Sequence, residues 1–314
     1  YGVNIRDKVC IRGKLEYPFH FVERQVYDSF WLNKARKAGA EFRFGDKLIS
    51  LDPVNNRVMT CNGRRYSARY ILGADGAPSR LRRLLTAGGM IEKEKKSGMA
   101  AALELVVSQG KEPALPAYPV IYFGHIRWGY AWCFPRKDLR VLGICGLSEK
   151  SGKFLKRGII HFLKTNRVSV DNICTAKSHA LPYGNYLTQP GSGNILLLGD
   201  ACGLADPLLG EGIYYAHKSG QLAAMAAVES YSNPQNALRI YRQHLHANII
   251  PELQFARIGR QIIFSLPGSW PGLILSSLLK ITPRKCEETI QGQRSFRWFR
   301  PHRSHNGQPN CIAA

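Results

Sequence analysis

The chain has 314 residues, 45% hydrophobic and 21% charged, with 44 Lys plus Arg against 22 Asp plus Glu and a net charge of +22. That balance excludes a disordered or collagen-like chain and leaves a folded protein of one or two domains with a sizeable core. Eight cysteines without a C-x-x-C pair exclude a Cys-only zinc ribbon and argue against a disulfide scaffold, so a reducing, cytoplasmic setting is expected.

Tyr1–Arg12 reads as strand, and Phe21–Ala38 as a helix with Val22, Val26 and Phe30 at helical spacing and Gly39 as its stop. Glu41–Leu51 alternates as a strand, Asn55-Asn56 turns into Arg57–Cys61, and Asn62-Gly63 turns into Arg65–Leu72. A strand-to-helix step follows, with Pro78 in the first turn of a helix that reaches about Leu85. Ala101–Val107, Val120–Phe123, Tyr130–Phe134 and Val141–Leu147 predict a largely antiparallel sheet, followed by a helix over Phe154–Lys164 and a strand over Ile173–Ala180. Asn194–Leu198 is a short apolar run, as in a buried strand, and leads to a helix from Gly212 to Glu229. The rest is predicted helical, with stops at Pro251, Pro267, Pro271 and Pro283.

Two strand–turn–helix units thus flank an antiparallel insertion, an α/β nucleotide-binding plan with a substrate domain spliced into it. The expected divisions are 1–96 and 182–230 for two segments of the nucleotide-binding domain, 97–181 for the β-sheet substrate domain, and 231–314 for a helical region. Gln261–Leu279 carries no charge but is interrupted by Pro267, Gly268, Pro271 and Gly272, so a pair of broken helices is expected rather than a membrane span. Beyond it, the tail is basic, with Arg284, Arg294, Arg297, Arg300 and Arg303 among its cations. A net charge of this sign fits an anionic partner: a nucleotide cofactor or anionic lipid headgroups, with peripheral membrane contact as one reading. Nucleic acid is not expected, because the cations are spread along the chain and no nucleic-acid module is present.

The sharpest signal is the string from Leu198 to Ile213, LGDACGLADPLLGEGI. A buried strand delivers Asp200 to its carboxyl end, where α/β folds bind ligands and a carboxylate can accept bonds from sugar-like hydroxyls. Pro207, Gly210 and Gly212 let the backbone approach a flat ligand before a helix begins, and the N–H groups of that helix terminus favour negative charge. The string resembles the second FAD fingerprint of the FAD-dependent oxidoreductases related to para-hydroxybenzoate hydroxylase, G-D-A-x-G-x-x-x-P-x-x-G-E-G-I. Gly73–Arg82, GADGAPSRLR, resembles the same group's G-A-D-G-x-x-S-x-x-R motif. The resemblance implies FAD as cofactor, with Asp75 and Gly76 near its ADP half, Gly199 and Asp200 at the ribityl chain, and Pro207 in the loop that follows. It also implies that Gly210, Glu211, Gly212 and Ile213 back the pyrimidine edge of the isoalloxazine. Arg24, opening R-x-x-Y-D, resembles the family's cofactor-contacting arginine.

A third string, Gly129-Tyr130-Ala131-Trp132-Cys133-Phe134-Pro135-Arg136 followed by Gly143, resembles the Y-x-W-x-F-P-x(7–8)-G-x-G motif of the geranylgeranyl reductases. Tyr130, Trp132 and Phe134 share one face of a strand and, with Pro135, are the expected substrate wall for a long apolar chain. The motif's last glycine is Cys145 here. The family also places a G-x-G-x-x-G unit at its N-terminus, and that pattern does not occur in these 314 residues, so a Rossmann-like fold truncated at its N-terminus is expected. The resemblance implies an FAD-dependent reductase of prenyl C=C bonds drawing on NAD(P)H or a ferredoxin; a flavin monooxygenase and a non-catalytic relative are the alternatives. It names no catalytic residue, and no metal site is expected, since His125, His161, His179, His217, His244 and His246 form no ligand pattern.

Overall fold

The structure, a computed structural model, describes residues 1–5, 8–14, 20–93, 98–108, 115–266, 270–290 and 294–295. Its largest element is a seven-stranded sheet. Gly2–Ile5 (β1) and Lys8–Arg12 (β2) form a hairpin at one edge of it. Three further elements, Leu48–Asp52 (β3), Arg57–Thr60 (β4) and Arg65–Ser67 (β5), make a separate small antiparallel sheet, and Ile71–Gly73 (β6) belongs to a third. Met99–Ser108 (β7), Val120–Phe123 (β8), Gly129–Arg136 (β9), Leu139–Leu147 (β10) and Lys177–Pro182 (β11) complete the large sheet in the order β11-β7-β10-β9-β8-β1-β2. The pairings are antiparallel except β1 with β8. Gly191–Ser192 (β12) and Ile195–Leu197 (β13) join β6 in the order β12-β13-β6, with β13 and β6 parallel.

The helices are Arg24–Lys37 (α1), Arg80–Ala87 (α2), Ser148–Ser151 (α3), Leu155–Thr165 (α4), Ile213–Glu229 (α5), Ala237–Asn248 (α6), Ile250–Ser265 (α7), Trp270–Ile281 (α8) and Pro283–Ile290 (α9). One core joins β13 to α2, α5, α6 and the start of α7 through Leu196, Leu197, Leu85, Leu222, Tyr241 and Leu253, all nearly or fully excluded from water. A second lies on one face of the large sheet, where Leu155, Ile159 and Phe162 of α4 cover Ala131, Leu142 and Ile144. Side chains of this size contribute about 1.5–3 kcal/mol each when fully buried, which fixes α4 to that face.

The α/β architecture read from the sequence is the one observed, with local corrections. Glu41–Leu51 is strand only from Leu48, because Gly45 at φ +75° turns the chain. Arg65–Leu72 splits at Ala68, whose N–H bonds Asn56 O, so its halves serve different sheets. Val170–Thr175 is a 3-10 turn opened by Ser169, and the strand begins at Lys177. Pro251 and Pro283 open α7 and α9 rather than ending helices, since a residue without an N–H is tolerated in the first turn. In α1 no residue is buried: Val26 is 67% and Phe30 52% exposed, and contact with the body runs through Tyr27 and Trp31 to His217 of α5. Leu72 on β6, a strand paired along one edge only among the described residues, is 44% exposed.

Gln261–Leu279 is divided between α7 and α8, and no helix among the described residues is long and apolar enough to cross a membrane. Pro267, Gly268, Arg297, Arg300 and Arg303 lie outside the described residues.

Candidate functional site

β6 and β13 run parallel with Gly73 opposite Leu197, and Leu198 N–H donates to Gly73 O at 2.9 Å. Asp75 and Asp200 follow these two residues, so both motif loops leave the carboxyl ends of adjacent parallel strands, where this class of sheet receives ligands. Gly73 suits that packing: a Cβ there would stand 2.6 Å from Leu81 Cδ2 and 2.8 Å from Leu197 Cδ2, so both leucine tips would have to shift.

Beyond β6, Gly76 adopts φ +75° and sends the chain into α2. The Asp75 carboxylate turns back onto that helix, accepting from Ser79 Oγ at 2.6 Å, Arg80 N at 2.6 Å and Leu81 N at 3.0 Å. Ser79 Oγ accepts in turn from Arg82 N at 2.9 Å. Asp75 therefore satisfies the terminus of α2 itself. Arg82, buried, donates to Ala77 O and to Ala201 O and so ties the two motif loops to each other.

After β13, Gly199 at φ +49° starts a single 3-10 turn, and its N–H donates to Ser219 Oγ of α5 at 2.9 Å. The segment from Asp206 to Glu211 closes on itself: Asp206 N–H donates to Glu211 O at 2.8 Å, Gly210 N–H donates to Asp206 O at 3.0 Å, and the Asp206 carboxylate accepts from Leu208 N and Leu209 N at 2.7 and 2.6 Å. Pro207 packs on Gly184, where a Cβ would stand 2.8 Å from the proline Cβ. Two phenols clamp this loop to the large sheet: Tyr130 OH donates to Leu209 O, and Tyr183 OH donates to Leu208 O at 2.6 Å. Burial holds both phenols far above the usual tyrosine range, so they remain donors. Arg260 of α7, also buried, donates to Tyr183 O behind them.

Burial pushes the Asp206 carboxyl up to about 6, against the two amides that favour its ionised form. The folded chain thus holds this proton more tightly than the unfolded chain does. The resulting stabilisation is present below about pH 4 and is lost as pH rises through about 6. Asp206→Asn is expected to flatten that decline, which amounts to about 1–3 kcal/mol for a shift of this size. Urea midpoints of both proteins, measured across this range, check it; parallel slopes would refute it.

Glu211 Oε1 accepts from Tyr214 N at 2.7 Å, so the first turn of α5 is capped by its own chain and only part of it faces outward. Asp200 is different. Its half-buried carboxylate has no hydrogen-bond donor among the described residues, a Cβ at Gly212 would stand 3.3 Å from its Oδ1, and burial raises its pKa while the charge of Arg24 partly offsets the rise. Arg24 itself is exposed and paired with Asp28 at 3.1 Å. A carboxylate left without donors at the end of a parallel strand, beside a glycine cradle, fits a ligand that brings hydroxyl groups to it. FAD would bring such hydroxyls on its ribityl chain; the loop beside Asp200 turns at Gly210, which adopts φ +76°. Ile213, directly after Gly212, begins α5.

The aromatic wall stands on the sheet face away from α4. Tyr130 and Trp132 ring centroids lie 6.0 Å apart, Trp132 and Phe134 6.1 Å apart, and Phe21 extends the row 5.4 Å from Phe134. The Trp132 indole lies flat on Gly143, where a Cβ would meet its Cζ2 at 2.1 Å. Cys145, between Tyr130 and Ala102, puts a buried thiol where the motif has glycine, and burial pushes it up to about 12. Pro135 stands opposite Arg140 and, by strand alternation, on the other face from the three aromatics. One neighbour of the wall escaped the motif reading. Glu104 of β7 sits opposite Gly143 on the face that carries the wall, and burial raises its carboxyl above the usual range although His179 and Lys177 oppose the rise. A lone glutamate in a strand read as core, at A-L-E-L-V, was the only trace of it.

No model of a protein family matches the sequence. The chain is 26% identical over 225 residues to a digeranylgeranylglycerophospholipid reductase of Methanosarcina acetivorans, covering 68% of this chain and 54% of that one. The chain thus spans little more than half the length of that curated relative. Its fold superposes on a geranylgeranyl bacteriochlorophyll reductase-like protein of Thermoplasma acidophilum with a TM-score of 0.69 at 20% identity, covering 86% of this chain and 71% of that one. It also superposes on a probable FAD-dependent monooxygenase of Pseudomonas aeruginosa with a TM-score of 0.59 at 17% identity, covering 88% and 80%. The sequence likeness extends over 68% of the chain and the likeness of fold over 86–88% of it. The fold is the Rossmann-like α/β fold of these flavin enzymes.

Proposed function

We propose that the chain is part of an FAD-dependent reductase that saturates C=C bonds of a prenyl lipid. The observation that carries this reading is the junction itself: the loop after Asp200 is clamped by Tyr130 and Tyr183 directly to the sheet that bears the aromatic wall. A ring system held by the loop and an apolar chain laid on the wall would meet there. The sequence likeness to a reductase named for a digeranylgeranyl glycerophospholipid supports an isoprenoid substrate. Asp200, Gly199, Gly210, Gly212 and Ile213 are the residues that would hold the FAD, with Arg24 supplying positive charge nearby and Gly76 the turn behind it.

When bound, reduced FAD supplies hydride to one carbon of the alkene. Tyr130, Trp132 and Phe134 would orient the chain and exclude water from the reacting bond. The second carbon needs a proton, and Glu104 holds one on its carboxyl beside Trp132 to higher pH than an exposed glutamate would. NAD(P)H or a ferredoxin is the electron donor this chemistry requires, and the positive surface suits peripheral contact with an anionic membrane carrying the substrate.

The structural likeness to a flavin monooxygenase favours oxygen insertion as the second reading. Anaerobic incubation of the FAD-reconstituted protein with chemically reduced flavin and a geranylgeranylated lipid separates the two. The reductase yields a product that has gained hydrogen only, by mass spectrometry. A product formed only in air and carrying oxygen would overturn the proposal in favour of hydroxylation, and a chain that takes up no flavin would overturn both readings.

A further inference from the structure

We propose that a basic cavity between α4 and the β8–β9 connection is a binding site for a phosphoryl group, separate from the flavin loop and the aromatic wall. The cavity measures about 490 Å³ and is lined by His125, Ile126 and Arg127 from the connection and Phe154, Arg157, Gly158 and His161 from α4 and the residue before it. That size lies within the roughly 300–1,000 Å³ typical of small-molecule sites. Four of the seven lining residues are Arg or His, and none is a carboxylate.

The arrangement is built rather than incidental. Arg157 and His161 are four residues apart on α4 and so share one side of the helix. The His125 and His161 rings approach to 5.4 Å between centroids, and His125, itself buried, also packs edge-on against Phe162 at 5.1 Å. Gly158 lets α4 press against the connection: a Cβ there would stand 2.9 Å from Ile144 Cδ1 and 3.4 Å from His125 O. The surroundings have the same sign, since residues 148–167 contain Lys150, Lys153, Lys156, Arg157, Lys164 and Arg167 against Glu149 alone.

Arg157, which makes no ion pair among the described residues, matches the oxygens of a phosphate, which its guanidinium can engage with paired N–H donors, and the other basic residues of the lining add charge of the same sign. Ile126 and the half-exposed Phe154 add an apolar margin beside the cations, as a phosphate esterified to an apolar molecule would need. The phosphoryl group can belong to a lipid headgroup or to a small soluble phosphate. The cavity opens on the sheet face that α4 covers, whereas the aromatic wall is on the other, so the inference does not depend on the proposed reaction.

The test uses the full chain at physiological ionic strength, where charges more than about 8 Å apart are largely screened. Binding of inorganic phosphate is followed by calorimetry, and binding of phosphatidylcholine vesicles with and without phosphatidic acid by sedimentation. Arg157→Glu is compared with Lys164→Glu, which makes the same charge change on the same helix away from the cavity. Saturable binding of at least one probe, weakened about tenfold or more by Arg157→Glu and less than twofold by Lys164→Glu, is the expected result. Inorganic phosphate alone binding assigns the site to soluble phosphates, and vesicles alone binding assigns it to headgroups. Equal losses in the two variants would reduce the cavity to part of a diffuse basic surface and overturn the proposal, as would no binding of either probe.

Discussion

Gly129→Ala is expected to destabilise the protein by about 3 kcal/mol or more, the upper end for inserting a single methyl group. The added Cβ would stand 1.9 Å from Cys145 O and 2.7 Å from Gly146 Cα, and both are backbone atoms of the paired strand β10. No rotamer change relieves such a contact, so β9 and β10 must separate next to the residue that carries Tyr130. Gly220→Ala is the matched control. Gly220 lies inside α5 with nothing within 4 Å of its Cβ position, and alanine there is expected to stabilise by about 0.5–1 kcal/mol. Denaturant midpoints of the two variants should move in opposite directions; a wild-type midpoint for Gly129→Ala would refute the close approach of the strands.

Asp200→Ala is expected to weaken flavin binding about 10- to 100-fold, the range for losing a charged acceptor of hydrogen bonds at about 1.5–3 kcal/mol. The same change should leave the flavin-free protein at least as stable as the wild type. The carboxylate accepts no bond within the described chain and is disfavoured by its burial, so removing it relieves the fold rather than harming it. Asp75→Ala is the contrast: it removes three accepted bonds at the start of α2 and costs stability, about 1 kcal/mol for a cap. Flavin titration beside thermal unfolding of the flavin-free variants distinguishes the two aspartates. Loss of stability without loss of flavin in Asp200→Ala would mean that it is a second structural cap.

The contrast also explains what could be read beforehand. The string from Leu198 to Ile213 was legible because a parallel strand, a turn at positive φ and a helix start each demand particular residues in a row. The string around Asp75 was equally legible as a turn, but which way its carboxylate points depends on whether Ser79, Arg80 and Leu81 offer donors first, and they do. Glu104 could not be found by spacing, since it joins the row of Trp132 only through Gly143 of β10, and strand order is not written in the alternation of any one strand. The aromatics at 130, 132 and 134 gave a common face correctly, while Pro135 followed the motif rather than the alternation and falls on the opposite side. Helix α1 has the right period and the wrong surroundings. Val26 and Phe30 mark a face as apolar, yet packing needs a partner, and no described element covers them.

The side of β6 left unpaired among the described residues has a consequence of its own. Three residues of extended backbone there, with the bare Leu72 side chain, offer a template of amide and carbonyl groups directly beside the Asp75 turn. A separate polypeptide in extended form can dock onto such a rim by strand addition, with main-chain bonds for affinity and side-chain pockets for selectivity. Anything so docked would become a neighbour of the Asp75 turn. This rim is therefore where chance self-association between copies would begin.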